Sequence, residues 1–383
     1  MHFRMAPSLA ITGIGAISAA GGSLADLNAS FLAGRSHLAC QDDADLPLAT
    51  RLPIARIVTP LTSGSRVVAI AEIAAREALA ISGIARTALG LSLGSCTGGM
   101  HGSELSYLAQ GPGPVDEAYR EQPVGRTASS LHQRLGLVGP LTAHAEACAS
   151  TAGAIAEAVT WIRAGLVPAV LVVGADALTR LTMAGFHSLQ IVDPRGCQPF
   201  SAERAGMSLG EGAVAVIIED EAHARQRGAT VLARLLGWGL TADAHHATAP
   251  DPRGTWLSSA IADALADGGA DASAVSFVAA HGTGTRDNDA CEMQVLAQRF
   301  GHVPVSSSKR GIGHTMGAAA GFGLAAAVLA LREQVLIPTA AWTGTPLSDI
   351  DVVTAARPAM IDTALVTCLA FGGVNAAMLV GRA

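Results

Sequence analysis

The chain has 383 residues, of which half are hydrophobic and only 15% are charged, so it can bury the core of two or three ordinary domains or of one large one. Its net charge of −6 argues against a nucleic-acid-binding protein, because no basic surface is available to neutralise phosphates. The six cysteines contain no C-x-x-C pair, which argues against the common zinc sites and a disulfide framework and favours reduced thiols in the cytoplasm.

Two stretches bear on export and membrane insertion. Residues 1–8 lead directly into an apolar strand without the layout of a signal peptide. Residues 316–331 form an uncharged apolar stretch that is shorter than the roughly 20 residues a membrane span needs. We therefore expect a buried helix there and no membrane contact.

Short apolar runs alternate with helical segments along the chain. Strands are predicted at 9–12, 90–93, 169–173, 213–218, 275–279, 304–307, 364–369 and 376–380, and helices at 64–81, 148–164, 255–266, 290–299 and 315–331. Near-continuous hydrophobic strands are typical of sheets covered on both faces. The pattern predicts an α/β fold, in two halves, 1–225 and 226–383, that no linker separates.

Cys148 is the candidate nucleophile. A strand-like run ends at this residue, and a long Ala-rich helix begins there. A thiol at a helix N-terminus lies at the positive end of the macrodipole and beside unpaired amides, and both favour the reactive thiolate. The alternative is a buried structural cysteine, which is the usual environment of this residue type.

Two histidines lie in Gly-rich turns. His281 follows the apolar strand and opens the run HGTGT, whereas His314 lies at the start of a helix. Reactive groups in α/β proteins lie at such strand ends, where a neutral imidazole can donate a hydrogen bond to a thioester carbonyl or exchange protons near pH 7. Each histidine alone could be a core residue, but two of them together with the cysteine favour a reactive site.

Lys309 is the only lysine of the chain, and the other 24 of its 25 Lys and Arg residues are arginines. An ammonium is a compact point charge with an adjustable pKa, whereas a guanidinium is a flat and permanently charged fork. Its retention five residues before His314 predicts a local chemistry that rejects arginine. Codon bias is the alternative explanation.

Several motifs together identify a family. They are ITGIG at 11–15, EAC at 146–148, GEGA at 210–213, DAHH at 243–246, HGTGT at 281–285 with Asp289 and Glu292, the segment 309–319, and FGGVN at 371–375. Over essentially the whole chain, these residues resemble the elongating β-ketoacyl-acyl carrier protein synthases, which are condensing enzymes of the thiolase fold. The resemblance implies a five-layered α-β-α-β-α fold of two similar halves, usually in a dimer.

The resemblance also implies the roles of the reactive residues. Cys148 would accept an acyl chain from the phosphopantetheine thiol of an acyl carrier protein. His281 and His314 would bind the malonyl thioester oxygen and assist decarboxylation, and Lys309 would set their electrostatics and orientation. The resulting carbanion would attack the acyl-Cys148 thioester and release a β-ketoacyl-carrier protein, without a metal or another cofactor.

Further positions follow from the same resemblance. The amides of Cys148 and Phe371 would form the oxyanion hole, and the Phe371 ring would gate the acyl pocket. Three threonines would bind the pantetheine arm, namely Thr283, Thr285 and Thr248. Arg66, at the start of a surface helix, would meet the acidic carrier protein, unless it is an ordinary solvated arginine.

This chain departs from the family pattern in ways that favour a specialised branch, such as polyketide or polyene assembly. The glutamate that usually pairs with the lysine is missing, because Gly321, Phe322 and Gly323 occupy that stretch. The usual R-P-F-D-x-x-R-D-G segment reads QPFSAERAG at 198–206, with both aspartates lost, and Val374 replaces a threonine.

Three functions remain open. The first is an active condensing enzyme, as a homodimer or with a related synthase subunit. The second is a chain-length-factor-like partner with little or no catalysis of its own, although such subunits usually lose the nucleophile. The third is a thiolase or acyl-CoA acyltransferase, which His314 disfavours.

Overall fold

The computed structural model describes residues 8–40, 51–59, 61, 64–113 and 117–383. Eleven strands of these residues form one mixed sheet, and four short strands form two separate ribbons. The residues before Ser8, on which the expectation about a signal peptide depends, lie outside the described part of the chain.

The strands follow in chain order: β1 Leu9–Ser18, β2 Ala39–Cys40, β3 Pro53–Ile54, β4 Leu89–Gly94, β5 Leu141–His144, β6 Ala169–Asp176, β7 Gly212–Asp220, β8 Ala233–Ala242, β9 Phe277–Ala279, β10 Pro304–Ser306, β11 Val335–Leu336, β12 Asp351–Val352, β13 Arg357–Pro358, β14 Thr363–Leu369 and β15 Val374–Gly381. All eight predicted strands are confirmed.

The helices are α1 Leu24–Leu32, α2 Arg66–Ser82, α3 Met100–Gln110, α4 Glu117–Arg120, α5 Val124–Leu135, α6 Ser150–Arg163, α7 Arg180–Ser188, α8 Glu221–Gln226, α9 Thr255–Asp267, α10 Arg286–Phe300, α11 Lys309–Ile312 and α12 Ala319–Glu333. Two of the four short 3₁₀ turns, Ala147–Ala149 and Met316–Ala318, introduce α6 and α12. The five predicted helices are all present.

The sheet has the same plan on both sides of its centre. Its order is β12-β10-β9-β14-β15-β8-β1-β7-β6-β4-β5, with β1 and β8 antiparallel at the centre. From the centre outward, the first half has β1, β7, β6, β4 and β5, and the second half has β8, β15, β14, β9 and β10. If the five strands of each half are numbered along the chain, both halves have the order first, fifth, fourth, second, third, and β12 is an additional edge strand. The directions also agree, with two antiparallel pairings followed by two parallel ones on each side.

Three hydrophobic clusters show how the sheet is covered. In β6, Val170 and Val172 face a central cluster that contains α6 and α12, whereas Leu171 and Val173 face an outer cluster with α2 and α5. In the other half, α9 and α10 cover the outer face. Val366 of β14 faces the same central cluster as Val170 of β6, so the two halves of the sheet lie on either side of α6 and α12. Because side chains alternate between the two faces of a strand, the layers run α-β-α-β-α. The predicted thiolase-like fold is confirmed.

The apolar stretch 316–331 lies in the central helix of the protein. The segment Met316–Glu333 is long and apolar enough to cross a membrane by composition, but 83% of it is buried inside the protein. It packs in the central cluster, as α12. The prediction of a buried helix is therefore confirmed.

Candidate active site

Cys148 lies in the turn that joins β5 to α6. The preceding residue, Ala147, has a φ of +49°, a conformation that an alanine adopts only where the surrounding structure imposes it. The cysteine is 6% exposed, and α6 begins two residues later. The turn therefore presents the thiol at the start of α6.

The two histidines meet this thiol. The Nε2 of His314 lies 3.1 Å from the Sγ of Cys148, and the rings of His281 and His314 stand edge to face with centroids 5.4 Å apart. One ligating atom from each of the three residues lies within 4.8 Å of those of the other two. Residues far apart in the sequence thus converge on one point, as the resemblance implies.

Hydrogen bonds on the far side of each ring fix the tautomers. The amide of Met316 donates to Nδ1 of His314 at 3.1 Å. The Nζ of Lys309 lies 3.3 Å from Nδ1 of His281 and also donates to the His281 carbonyl oxygen. Because both Nδ1 atoms accept, both neutral rings carry their proton on Nε2, and that of His314 faces the thiol.

The same tautomers bear on metal binding. A metal ion coordinates a nitrogen lone pair, so ligation through Nε2 would move each ring proton to Nδ1. There it would meet the Met316 amide or the Lys309 ammonium, both of which are donors. The Cys–His–His cluster is close enough to hold an ion, but its hydrogen bonds suit an oxygen acceptor between the two Nε2–H groups.

Burial controls the charges of the imidazoles. Burial, together with the charge of Lys309, lowers the pKa of both His281 and His314 well below the usual value. Burial also lowers the pKa of Lys309, and the neighbouring Glu292 carboxylate acts against this shift. The imidazoles are therefore neutral donors near pH 7.

The pKa of Cys148 differs from the expectation based on the helix N-terminus. Burial raises it to about 11, although the charge of Lys309 and the backbone amides of Phe371 and Cys148 lower it. Desolvation thus outweighs the favourable dipole, and the resting site holds a thiol. The two amides that reach the sulfur are the pair expected to form the oxyanion hole.

Two buried carboxylates hold the HGTGT loop. Asp289 accepts the amides of Thr283 and Gly284, and Glu292 accepts those of His281 and Gly282. The loop needs a glycine at 282, where φ is +40° and a Cβ would lie 2.7 Å from the Cβ of Ser307.

The structure explains how Lys309 manages without the missing glutamate. At Gly323, an added Cβ would lie 2.8 Å from Val366, so the space for an acidic side chain is filled. The ammonium instead bonds to His281, whose amide is held by Glu292. Glu292 thus acts on the lysine through His281 and through its charge.

A cavity of about 360 Å³ leads to these residues. It is lined by Cys148, both histidines, Phe371 and the three predicted threonines, of which Thr283 and Thr285 share a 2.8 Å hydrogen bond and Thr248 is exposed. The ring centroids of Phe371 and Phe186 lie 5.7 Å apart. The position of Phe371 in the cavity wall is compatible with the predicted gate of the acyl pocket, and the gate stays a prediction.

Arg66 corrects one expectation. Its Nε donates to the Glu211 carboxylate at 2.9 Å, its guanidinium also bonds the Ile57 carbonyl, and its side chain is only 15% exposed. Arg66 therefore forms a structural ion pair instead of a docking surface. The sequence alone could not predict this ion pair, since Glu211 lies 145 residues from Arg66 along the chain. Arg286, in contrast, is exposed and lines the cavity.

Sequence reasoning also missed Asp176. This residue ends β6, is fully buried and accepts hydrogen bonds from the turns beside Cys148 and His314. The sequence signal was weak, because a single acid after an apolar strand is common at a sheet edge.

Comparisons with known proteins agree with this site. The chain matches the family model described as "Beta-ketoacyl synthase, N-terminal domain" over residues 61–224 and that of the corresponding C-terminal domain over 232–343. It is 36% identical to nodulation protein E of Rhizobium meliloti (strain 1021), over 83% of each chain. It is 33% identical to 3-oxoacyl-[acyl-carrier-protein] synthase 2 of Staphylococcus aureus, over 81% of this chain and 82% of that protein. A ketosynthase (ApeO) solved in complex with its chain length factor (ApeC), from Xenorhabdus doucetiae, superposes with a TM-score of 0.87 at 26% identity and covers 98% of both chains.

Proposed function

Because the chain belongs to the β-ketoacyl synthase family, we propose that Cys148, His281 and His314 carry out a decarboxylative Claisen condensation. The enzyme is an acyltransferase that joins an acyl chain to a malonyl thioester in fatty acid or polyketide biosynthesis. The observation that carries the assignment of roles is the convergence of both imidazoles on one buried thiol, with Nε2 of His314 in contact with the sulfur.

The first half-reaction loads the enzyme. Cys148 attacks the thioester carbonyl of an acyl-carrier protein, the carrier thiol leaves, and the thiol proton passes to it. The developing oxyanion lies beside the amides of Cys148 and Phe371, which already reach the sulfur. Because the free thiol has a pKa of about 11, its proton must leave as the new bond forms.

The second half-reaction makes the carbon–carbon bond. The thioester oxygen of the malonyl group accepts hydrogen bonds from the Nε2–H groups of His281 and His314. The bond to the carboxylate breaks, CO₂ leaves, and the electron pair remains as an enolate that these donors stabilise. The enolate carbon attacks the acyl-Cys148 carbonyl, and the thiolate leaves and regains its proton. These steps need no metal or other cofactor.

The expected partners are a carrier protein and a related subunit. The narrow cavity suits a pantetheine arm, with Thr283, Thr285 and Thr248 as its hydrogen-bonding side chains. Among the described residues the sheet ends at β5, where the half-exposed Leu141 and the outer edge of the strand suit a second synthase subunit. Location in the cytoplasm remains part of this proposal, supported by six free cysteines.

A chain-length-factor-like role is the second candidate, and the loss of the usual glutamate from the stretch 321–323 favours it. Intact-mass measurement separates the two roles. Incubation with acyl-carrier proteins should add one acyl group, and the adduct should disappear in Cys148→Ala. The absence of an adduct with every chain length, both alone and with a partner synthase, would favour the non-catalytic role.

The altered positions also support a specialised pathway. Ser201 and Ala205 replace the two aspartates of the family segment, and Ser201 bonds to Glu203 at 2.6 Å. Ala205 lies in the cavity wall, so the mouth of the site has lost a negative charge. We place the enzyme in polyketide or polyene assembly, and comparison of turnover on saturated and polyene acyl-carrier proteins tests this.

A further inference from the structure

Asp176 is a fully buried carboxylate that the proposed chemistry does not use. Its Oδ1 accepts hydrogen bonds from the Ser95 hydroxyl and from the amide and hydroxyl of Thr97, at 2.8–2.9 Å. Its Oδ2 accepts the amides of Cys96 at 2.8 Å and Gly317 at 2.6 Å. Three of these partners are backbone amides, which only donate, and the two hydroxyls donate here as well. This set of donors favours an ionised carboxylate, although burial raises the pKa of Asp176.

One of these donors belongs to the turn that carries His314. The amide of Gly317 binds Asp176, and its carbonyl accepts the hydroxyl of Thr151. Thr151 lies in the first turn of α6, three residues after Cys148. Gly317 is thereby fixed on its amide side to the end of β6 and on its carbonyl side to α6, the helix that follows the nucleophile.

The position also demands glycine. A Cβ at residue 317 would lie 2.7 Å from the Asp176 carboxylate and 2.8 Å from the Cys96 amide nitrogen. The contact between carboxylate and turn is therefore as close as the backbone allows, and a small displacement of either would break it.

The preceding residue transmits this constraint to the imidazole. Met316 has a φ of +53°, a conformation that a methionine adopts only under constraint from its surroundings. In that conformation its amide points back to Nδ1 of His314, which leaves the ring proton on Nε2, facing the thiol. A continuous series of hydrogen bonds and one constrained residue thus connects Asp176 to the reactive atoms.

We propose that Asp176 is a positioning residue that sets the tautomer and the direction of His314 by holding the Gly317 amide. It touches neither substrate nor reacting atoms and acts through the turn 314–317. Its charge has a second effect, because it contributes to the raised pKa of Cys148, for which burial is the larger cause. This inference extends the proposed function to a further residue of the same site.

Asp176→Asn tests the proposal. In either orientation the Nδ2 of the new amide faces at least one backbone amide that only donates, so the side chain and the Gly317 turn bound to it should be displaced. In ¹⁵N spectra of histidine-labelled protein, His314 should change from a pure Nε2–H tautomer to a mixture, with its signals assigned by comparison with His314→Gln. Decarboxylation of malonyl-carrier protein should fall about tenfold or more, toward the 10²–10³-fold that loss of a direct donor causes.

The negative charge of Asp176 can be tested through the pH dependence of Cys148 alkylation, which a purely structural role of Asp176 would not change. Because Asp176 raises the pKa of Cys148, its neutralisation should move the pH midpoint of Cys148 alkylation to lower pH. Glu219→Gln is the matched control. This carboxylate is also fully buried and bonds Thr12, His223 and Arg227, so it reproduces the loss of a buried carboxylate without altering the turn.

Gly317→Ala separates position from charge and decides the question alone if Asp176→Asn does not fold. The added Cβ should displace the turn, mix the His314 tautomers and slow decarboxylation, without lowering the alkylation midpoint. An unchanged His314 spectrum in either folded variant would overturn the proposal. The spectrum requires no turnover, so this result is distinct from a failure of the proposed condensation, which would appear in wild-type protein.

Discussion

The Nε2 of His314 lies 3.1 Å from the Sγ of Cys148, and it carries a proton because the Met316 amide occupies the opposite nitrogen. The imidazole therefore serves as a hydrogen-bond donor to the sulfur, and it is not placed as a base that removes the thiol proton. A donor in this position suits an enolate oxygen and explains why the ring needs to remain neutral.

The first prediction concerns the reactivity of the thiol. With a pKa raised to about 11 by burial, Cys148 should react with iodoacetamide at a rate that rises roughly tenfold per pH unit through pH 9, because only the thiolate reacts. Mass spectrometry of the Cys148 peptide measures this rate, with Cys148→Ala reporting labelling at exposed Cys40. A plateau below pH 8 would show that the helix N-terminus outweighs desolvation.

The second prediction concerns the two imidazoles. Burial holds their pKa values well below the ordinary range, so both should stay neutral through pH 6.5, where an exposed histidine titrates. The rate of CO₂ release from malonyl-carrier protein should therefore be flat between pH 8 and pH 6. A loss of half the rate near pH 6.5 would contradict neutral donors.

The same shifts affect stability. Below about pH 6.5 the unfolded imidazoles bind protons that the folded ones do not, so the free energy of unfolding should decrease as pH falls through that value. His314→Gln removes one of these groups and should weaken the dependence. Urea midpoints at pH 7.5 and pH 5.5 measure it, and an identical dependence in wild type and variant would exclude a contribution from His314.

The third prediction concerns Lys309→Arg. The ammonium is 3% exposed and bonds both the carbonyl and the ring of His281, a geometry that a flat guanidinium does not reproduce. The variant should fold but lose roughly 10²–10³-fold in decarboxylation rate. Arg382→Lys, the reverse exchange on the surface, is the control. Unchanged turnover would leave codon bias as the explanation of the single lysine.

The fourth prediction replaces the expectation for Arg66. Arg286 is exposed at the cavity, so Arg286→Glu should raise the KM for acyl-carrier protein about tenfold through lost electrostatic attraction, with kcat unchanged. A small acyl-pantetheine thioester should react as before. Arg332→Glu, an exposed site that does not line the cavity, is the control. An equal effect of both variants would point to net charge alone.

The sequence predicted the strands with continuous apolar runs but not β8. This strand contains Gly237 and Gly239, which normally indicate a turn. The structure shows their reason: an added Cβ would lie 2.2 Å from the Ala264 carbonyl and 2.1 Å from that of Ala260, because α9 packs directly on the strand. The repeated topology of the two halves could not be predicted from the sequence either, because the halves share a strand order without a recognisable sequence similarity.

The site, like the fold, has features that the sequence predicts and features that it does not. The reactive residues were found because their side-chain chemistry and motifs are local in sequence. The Glu211 partner of Arg66, the five donors around Asp176 and the raised pKa of Cys148 depend on contacts between distant segments. A pattern along one chain does not contain that information.

A single-turnover experiment tests the central claim most directly. Enzyme acylated on Cys148 is mixed with malonyl-carrier protein carrying a ¹³C-labelled carboxylate, and labelled CO₂ and β-ketoacyl-carrier protein are followed together. We predict one equivalent of each, with free Cys148 regenerated and with both products lost in His281→Ala and His314→Ala. A β-ketoacyl product formed at the wild-type rate by either histidine variant, or no product from the acylated wild type, would contradict the proposed site.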